Sequence, residues 1–335
     1  MKKRLEVFST IFFAITPFAA ILICLGIGRY HLSIGNTLDA VVAVVSGGEI
    51  DATVYSVLFN LRLPRIILAL LVGAGLAVAG ASFQSLFSNP LATPDTLGVA
   101  TGASFGAVLA LLICNNMIIV QLMALTFGLV SLFVTCIVSK MNGKSTIIMV
   151  VLSGMVVSSI FQALVSLVKY TADTEEKLPA ITYWLMGSMS RASISSLMIG
   201  IPFIVIGTAL LFMLRWRLNI LSLHEDEAKA LGINVKKYRL LVMIASTMTT
   251  ASCVSMCGQV GWVGLLIPHV ARMIYGSDNK KLIPACIGIG ATFMVIIDTM
   301  ARSATAAEIP VSILTALIGA PFFVLLLRKT GGAKL

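Results

Sequence analysis

The stretch from Leu61 to Gly106 constrains the fold of this chain more than any other part of the sequence. It contains no charged residue between Ile66 and Phe83, and a helix needs about 20 predominantly apolar residues to cross a bilayer. Two prolines then interrupt the run before a glycine-rich apolar segment resumes. Interrupted spans need neighbouring protein or a water-filled cavity to satisfy their freed backbone groups. The stretch therefore predicts a protein with several spans and a path through them.

The composition excludes a soluble domain of ordinary size. Of the 335 residues, 58% are hydrophobic and 11% are charged, whereas soluble domains carry about 25% charged residues. We therefore predict an all-α integral membrane protein that forms a single transmembrane domain over residues 1–335. The net charge of +10 would suggest nucleic-acid binding in a soluble protein. Because the basic residues cluster at the ends of apolar runs, we predict that they orient the chain in a lipid bilayer and that nucleic acid is not a partner.

The apolar runs predict ten membrane-spanning helices. Their ranges are 7–28, 65–83, 96–114, 117–139, 145–168, 194–214, 239–257, 260–273, 282–301 and 311–327. We interpret the first as a retained helix and not as a cleaved signal peptide, because no small-residue cleavage pattern ends it. Ten crossings place both termini on one side, and most of the 24 Lys and Arg residues lie on that side. Loops rich in positive charge face the cytoplasm, so we expect both termini there.

Two pairs of helix-breaking residues give the sequence a weak internal repeat. Gly80 lies ten residues before Pro90, and Gly258 lies ten residues before Pro268. Each pair joins a full span to a short broken one, and the two pairs run in opposite directions across the membrane. This pattern predicts an inverted repeat that relates spans 2–5 to spans 7–10. Glycine and proline are common in membrane helices, so coincidence remains the alternative explanation.

The connection 215–239 is the most polar part of the chain and is predicted to be cytoplasmic. Ser222 followed by Glu225 fits a capping box that begins a helix. Gly232 suits the left-handed position that ends one, and a second helix is expected to begin after Asn234. A short capped helix between two spans is either a surface loop or a docking surface for a cytoplasmic partner, and the second interpretation is favoured.

Three arginines, Arg62, Arg65 and Arg302, lie at the predicted external ends of spans. They could extend to lipid head groups, or they could bind the carboxylates of a partner in forked pairs, and the residues alone leave both open. Asp298 lies inside a span, where an ionisable residue is a functional candidate. Its spacing of four residues from Arg302 favours an ion pair within one helix instead.

Motifs for chemistry within the chain are incomplete. The segment 142–145 looks like the tail of a phosphate-binding loop, but Val138 stands where that loop needs glycine. Cys253 and Cys257 are one helical turn apart without a histidine or carboxylate near them in sequence. We therefore expect a transport subunit without an ATPase motif, a catalytic residue, a metal or a cofactor. A secondary transporter would need paired ionisable residues within its spans, which the sequence does not supply.

Two groups of motifs run through the chain in a fixed order. The first group is Arg62-Leu63-Pro64-Arg65, Gly80-Ala81, Gln84, Asn89-Pro90-Leu91-Ala92, Pro94 and Leu97-Gly98. The second group is Ala230-Leu231-Gly232, Gly261 to Arg272, Asp298-x-x-Ala301-Arg302, Glu308-Ile309-Pro310-Val311 and Gly319-Ala320-Pro321-Phe322. Together they resemble the permease subunits of bacterial binding-protein-dependent ABC importers for iron–siderophore, haem and vitamin B12. The resemblance covers nearly the whole chain.

The resemblance implies a subunit of ten helices that works as a dimer, expected as a homodimer, in the bacterial plasma (inner) membrane. It implies cytoplasmic ABC ATPase subunits beneath the dimer and an extracytoplasmic substrate-binding protein above it. Arg62, Arg65 and Arg302 would be the docking site of that binding protein. The implied ATPase-coupling residues are Leu223, Glu225, Glu227, Ala230, Leu231 and Gly232. The implied gate and pathway residues are Asn89, Pro90, Leu91, Ser145, Ser153 and Gly154.

The expected function is import of a ferric siderophore or related chelate by alternating access. Haem or cobalamin as the substrate of the same importer class is the first alternative, and a secondary transporter is a more distant one. His224-Glu225 stands where many relatives have Gly-Glu, and this difference concerns the specificity of the ATPase contact.

Overall fold

The computed structural model describes residues 15–28, 30, 32–114, 116–140, 147–305 and 307–330. The helices are α1 Ile15–Gly26, α2 Ile34–Ser46, α3 Ala52–Tyr55, α4 Leu63–Leu86, α5 Val99–Ile113, α6 Met117–Val138, α7 Ile147–Thr171, α8 Lys177–Leu185, α9 Ile194–Leu221, α10 Glu225–Ala230, α11 Val235–Cys257, α12 Val263–Tyr275, α13 Asn279–Ser303 and α14 Val311–Thr330. A π-helical stretch, Ser56–Arg62, joins α3 to α4. No strand occurs within these ranges, and the predicted all-α class is confirmed.

Each of the ten predicted spans overlaps one apolar helix. Six apolar helices are long enough to cross a membrane, and four shorter ones coincide with the remaining predicted spans. The number of helices that cross the bilayer stays a prediction. The beginning of the predicted first span lies outside the described residues.

Helix α4 forms the centre of the bundle. In its most apolar window, 83% of the residues are buried inside the chain, and the helix packs against α9, α11, α12 and α13. Glycines permit this close packing. A Cβ added at Gly73 would overlap the main-chain carbonyl of Gly290 in α13, and one at Gly80 would overlap that of Gly264 in α12. Small residues at helix interfaces allow backbones to approach closely in membranes, so the glycines of this stretch are packing sites.

The packing of α4 and α11 supports the predicted inverted repeat. Helix α4 packs against α12 and α13, and α11 packs in turn against α5 and α6. The two helices also contact each other. Each half of the chain thus supplies the neighbours of the other half's leading helix, which is the arrangement that a pseudo-two-fold axis between two inverted repeats would generate.

The first helix break, residues 87–98, folds back between α4 and α5. It contains a short 3₁₀ turn, Pro94–Leu97, and ends at Gly98 in the left-handed conformation with φ 74°. Two hydroxyls of α6 donate to the main-chain carbonyl of Leu97, Ser131 at 3.0 Å and Thr135 at 3.1 Å. These bonds supply partners for backbone that leaves the helical ladder, which is the condition for a broken span in a membrane protein.

The second helix break, Gly258 to Trp262, separates α11 from α12. Both end residues have positive φ, 73° at Gly258 and 70° at Trp262. The Cys257 carbonyl at the end of α11 accepts a hydrogen bond from the Ser188 main-chain N–H at 2.8 Å. A Cβ on Gly258 would overlap the carbonyl of Trp184, so only glycine fits this position. The two breaks predicted from sequence are therefore both present, each fixed by contacts from another part of the chain.

Candidate functional site

The external arginines are buried and bound within the chain. Arg65 is 8% exposed; its Nε donates to Asp298 Oδ1 at 2.7 Å, and its Nη1 donates to both carboxylate oxygens of Glu308 at 3.0 Å. These bonds connect α4 to α13 and to the chain segment that leads into α14. Glu308 has φ 30°, a backbone conformation that costs about 1–3 kcal/mol outside glycine, and its bidentate pair with Arg65 helps to hold it there.

The other two arginines fix the end of α1. Arg62 donates to the main-chain carbonyls of Leu25 and Tyr30, and Arg302 donates to that of Cys24. Arg62 is 5% exposed and Arg302 is 8% exposed. The guanidinium groups thus have partners inside the chain, an arrangement that neither interpretation drawn from the sequence included.

The Asp298–Arg302 pair predicted from sequence is present but is not the shorter contact of the carboxylate. Arg302 Nε lies 3.8 Å from Asp298 Oδ2, which is an ion pair but too long for a hydrogen bond. The bonded partner of Asp298 is Arg65, on another helix. Spacing along one helix cannot reveal such a partner, because it arises only when α4 and α13 pack together.

A cavity of about 390 Å³ lies between the two helix breaks. The first break and the start of α5 supply one wall, from Leu91 to Thr101, and the second break and the start of α12 supply another, from Gln259 to Leu265. Ser158 of α7 completes the lining on a further side. Substrate sites of transporters built from inverted repeats typically lie where the discontinuous helices of the two repeats meet. The cavity is therefore the candidate transport site.

The cavity walls combine apolar surface with a few polar groups. The hydroxyls of Thr101 and Ser158 lie 3.2 Å apart, and Gln259 Nε2 donates to Ser104 Oγ at 2.8 Å. Asp95 lines the cavity and is exposed. Among the described lining residues there is no lysine, arginine or histidine. The walls can thus accept hydrogen bonds and pack against apolar groups, but they present no positive charge.

The predicted gate residues have different places around this cavity. Leu91 lines it and is 53% exposed. Asn89 and Pro90 form the turn before it, where the Asn89 side chain accepts a hydrogen bond from the Leu91 N–H at 2.9 Å. Ser153 is buried in α7, and Gly154 lets α7 contact the backbone of the first break, since a Cβ there would overlap the Thr96 carbonyl.

Four lining residues, Asp95, Thr101, Gln259 and Trp262, were not among the sequence-derived candidates. The signal that could have found them is their position inside or just beyond the two breaks. Ser145, predicted for the pathway, lies outside the described residues.

The predicted coupling segment forms the short helix α10. Its predicted residues are exposed: Leu223, Glu225, Glu227, Ala230, Leu231 and Gly232. The expected left-handed glycine is confirmed at Gly232, with φ 75°. Asn234 begins the next helix, α11, by accepting a hydrogen bond from the Lys237 N–H, as predicted. Exposed leucines on both sides of a charged helix leave apolar surface available to a partner.

The predicted capping box at Ser222 is wrong. Ser222 ends α9, where its N–H donates to the Leu218 carbonyl at 3.1 Å. Helix α10 begins later, after His224, without a side-chain cap. The buried side chains of Leu218 and Leu221 extend α9 further than local capping chemistry suggests.

Charge pairing stabilises α10. Lys229 Nζ lies 3.0 Å from Glu225 Oε1, and Arg239 Nη1 lies 3.7 Å from Glu225 Oε2. The hydrogen bond from Lys229 lowers the pKa of the Glu225 carboxyl below its usual value. Glu225 therefore stays ionised at neutral pH and links α10 to α11.

The coupling segment is connected to both breaks. The Ser88 hydroxyl of the first break donates to the Ser222 carbonyl at 3.0 Å, and α11 runs without interruption from the segment to the second break. A displacement of α10 would thus be transmitted to both walls of the cavity. The arrangement suits a cytoplasmic element that controls a transport site.

Comparison with known proteins places this arrangement in a family. The model of the FecCD transport family matches residues 15–329. The chain is 44% identical to the molybdate import system permease protein of Haemophilus influenzae over 92% of this chain and 91% of that protein. It is 38% identical to the cobalamin import system permease protein of Halobacterium salinarum, over 83% and 75% of the two chains.

A solved structure agrees with these sequence relatives. It is described as an inward-facing conformation of a putative metal-chelate type ABC transporter, and it matches with a TM-score of 0.87 at 41% identity. The match covers 96% of this chain and 98% of that one. Family, fold and site thus agree, and the chain belongs to the FecCD transport family as the permease of an ABC importer.

Proposed function

We propose that this chain imports a metal chelate, of which a ferric siderophore is the leading example, across the bacterial plasma membrane by alternating access. The observation that carries the proposal is the cavity between the two helix breaks, whose walls are largely apolar and lack a basic residue within the described lining. A bulky chelate must enter such a path and also leave it, and strong fixed charges would hold it there. The solved metal-chelate type transporter of the same fold supports this substrate class.

The proposed complex contains a second copy of the chain, two cytoplasmic ATPase subunits and an extracytoplasmic binding protein. Helix α14 packs only against α12 and α13 among the main helix contacts of the described chain, and α7 leaves much of its apolar surface uncovered. These two helices are the proposed surface for the second subunit, with the termini in the cytoplasm. ATP-driven closure of the ATPase subunits would move α10 and so switch the path between two states.

The external arginines are proposed as the docking site of the binding protein, with a specific constraint. Arg62, Arg65 and Arg302 already bind carboxylates or carbonyls of this chain. A partner's carboxylate would therefore join an existing network, and Glu308, whose side chain is 26% exposed, is where it would approach Arg65. The same bonds position α1, α4 and α13 whether or not a partner is bound.

Reconstitution tests the proposed function. The chain is placed in liposomes with the ATPase and the binding protein encoded beside it, and uptake of a ⁵⁵Fe-siderophore and ATP hydrolysis are measured. We expect both to require ATP and the binding protein. Exchange of Glu227→Arg on the exposed face of α10 should uncouple hydrolysis from uptake, while Glu49→Gln on the far side should not. Uptake that needs only an ion gradient would overturn the proposal in favour of a secondary transporter.

Molybdate is a second candidate substrate, because the molybdate permease relative is 44% identical. The same liposomes loaded with ⁹⁹Mo-molybdate distinguish the two. Uptake of molybdate without uptake of chelates would replace the leading substrate and leave the importer class intact. Haem and cobalamin are tested in the same way, since a hemin permease of Yersinia pestis is 34% identical and the cobalamin permease is 38% identical.

A further inference from the structure

We propose that Asp95 contacts the transported solute and selects solutes that present hydrogen-bond donors or a positive charge over bare oxyanions. The inference rests on the proposed function, because it assigns a specificity residue to the same path. It concerns a residue that none of the sequence motifs singled out. Its basis is the position of one carboxylate in the cavity between the two helix breaks.

Asp95 sits on a rigid support. The turn that carries it is closed by a hydrogen bond from the Gly98 N–H to the Asp95 carbonyl at 2.9 Å and by one from the Thr96 N–H to the Thr93 carbonyl at 3.0 Å. Ser131 and Thr135 of α6 bind the carbonyl of the next residue but one. A site held by surrounding hydrogen bonds can present its functional group in a fixed geometry. The Asp95 carboxylate is therefore preorganised and does not belong to a freely moving loop.

The surroundings of Asp95 leave its charge available to a solute. It lines the cavity together with Thr101, Ser158, Gln259 and Trp262. Within the described lining, Asp95 is the one charged residue. A carboxylate accepts hydrogen bonds from ammonium, hydroxyl or amide donors in strong, charge-assisted contacts. It repels an oxyanion, and the repulsion is larger at a partly enclosed site than in water.

The ligand class follows from these walls. A donor-bearing chelate can bind the carboxylate through its ammonium, hydroxyl or amide groups, while its apolar parts pack against Leu76, Leu91 and Trp262. A bare tetrahedral oxyanion would meet a like charge without a compensating cation in the described lining. Asp95 is thus a specificity residue inside the path, separate from the choice made by the binding protein.

A thiol-labelling experiment measures the charge effect without knowledge of the natural substrate. Thr101→Cys places a reporter in the cavity, in a background in which the half-buried Cys114 and Cys136 are replaced by alanine. The rates of modification by a cationic and an anionic methanethiosulfonate reagent are compared with Asp95 present and with Asp95→Asn. We expect the cation-to-anion rate ratio to fall by about tenfold in Asp95→Asn, which corresponds to one decade in an equilibrium preference.

Uptake in the full complex provides the second readout. Asp95→Asn should reduce uptake of a cationic ferric hydroxamate relative to molybdate by about tenfold, while Asp95→Glu restores the ratio and binding-protein-stimulated ATP hydrolysis persists. Asp39→Asn, an exposed acid on α2, serves as the control and should change neither readout. An unchanged labelling ratio, or a changed ratio with unchanged relative uptake, would overturn the inference. Uptake that is independent of ATP in the wild type, with the labelling shift intact, would instead defeat the proposed function alone.

Discussion

Arg65 and Asp298 are 233 residues apart in sequence and meet at 2.7 Å between Nε and Oδ1. Their side chains are 10% and 1% exposed. The pair joins the central helix α4 to α13 at the end of the bundle where Arg62 and Arg302 hold α1. A buried ion pair contributes little net stability compared with an apolar replacement, but removal of one partner leaves the other charge without compensation.

Removal of the Asp298 carboxylate should therefore destabilise the fold. We expect Asp298→Ala to lower the free energy of unfolding by about 3–5 kcal/mol, measured by thermal or denaturant unfolding in detergent. Asp226→Ala is the matched control, because the Asp226 side chain is 98% exposed, and it should have almost no effect. Equal melting temperatures for the two variants would show that Asp298 does not hold α4 and α13 together.

The contact between α4 and α12 should not tolerate a methyl group at Gly80. The added Cβ would overlap the Gly264 carbonyl, and overpacking against backbone costs about 1–3 kcal/mol and sometimes more. Gly80→Ala should thus lower the melting temperature and the yield of folded protein. Gly261→Ala is the control, since nothing lies within 4 Å of its added Cβ. A Gly80→Ala protein as stable as the control would contradict the close packing.

The first helix break should loosen when its hydroxyl donors are removed. The double variant Ser131→Ala/Thr135→Val leaves the Leu97 carbonyl without its two side-chain partners, and an unsatisfied buried carbonyl costs about 1–3 kcal/mol. Faster hydrogen exchange of residues 94–98 and a lower melting temperature are expected. Thr126→Val on the same helix removes only a bond to its own helix, at Leu122, and should leave exchange in the break unchanged.

The stability of α10 should depend on pH through Glu225. Because Lys229 lowers the pKa of this carboxyl in the folded chain, its stabilising contribution is present above the usual glutamate pKa of about 4.3. The contribution is lost as the pH falls through the lowered value. Hydrogen exchange of residues 225–230, corrected for the intrinsic rate, should show less protection at about pH 3.5 than at pH 7.

The control for this pH effect is Glu225→Gln. Its amide cannot titrate, so the protection of α10 should be lower than in the wild type at pH 7 and nearly constant with pH. The same pH dependence in both proteins would show that another group controls the helix.

The turn chemistry of the cytoplasmic segment shows where local sequence was sufficient and where it was not. Gly232 and Asn234 take the positions that their side chains favour, left-handed for glycine and helix-capping for asparagine. Ser222 has an equally good capping side chain, yet it ends α9 instead of starting α10. The difference is the burial of Leu218 and Leu221, which depends on helices that are distant in sequence.

The sequence by itself determined the all-α class, the apolar segments, the two breaks and the family. These properties depend on runs of hydrophobic residues and on glycine and proline, whose effects act within a few residues of the chain. Only the tertiary structure decided that Arg65 binds Asp298 and Glu308, that Arg62 and Arg302 bind backbone of the α1 region, and that Asp95 shares a cavity with Gln259. Such partners depend on which helices pack side by side, and a residue's own neighbours in sequence carry no record of that choice.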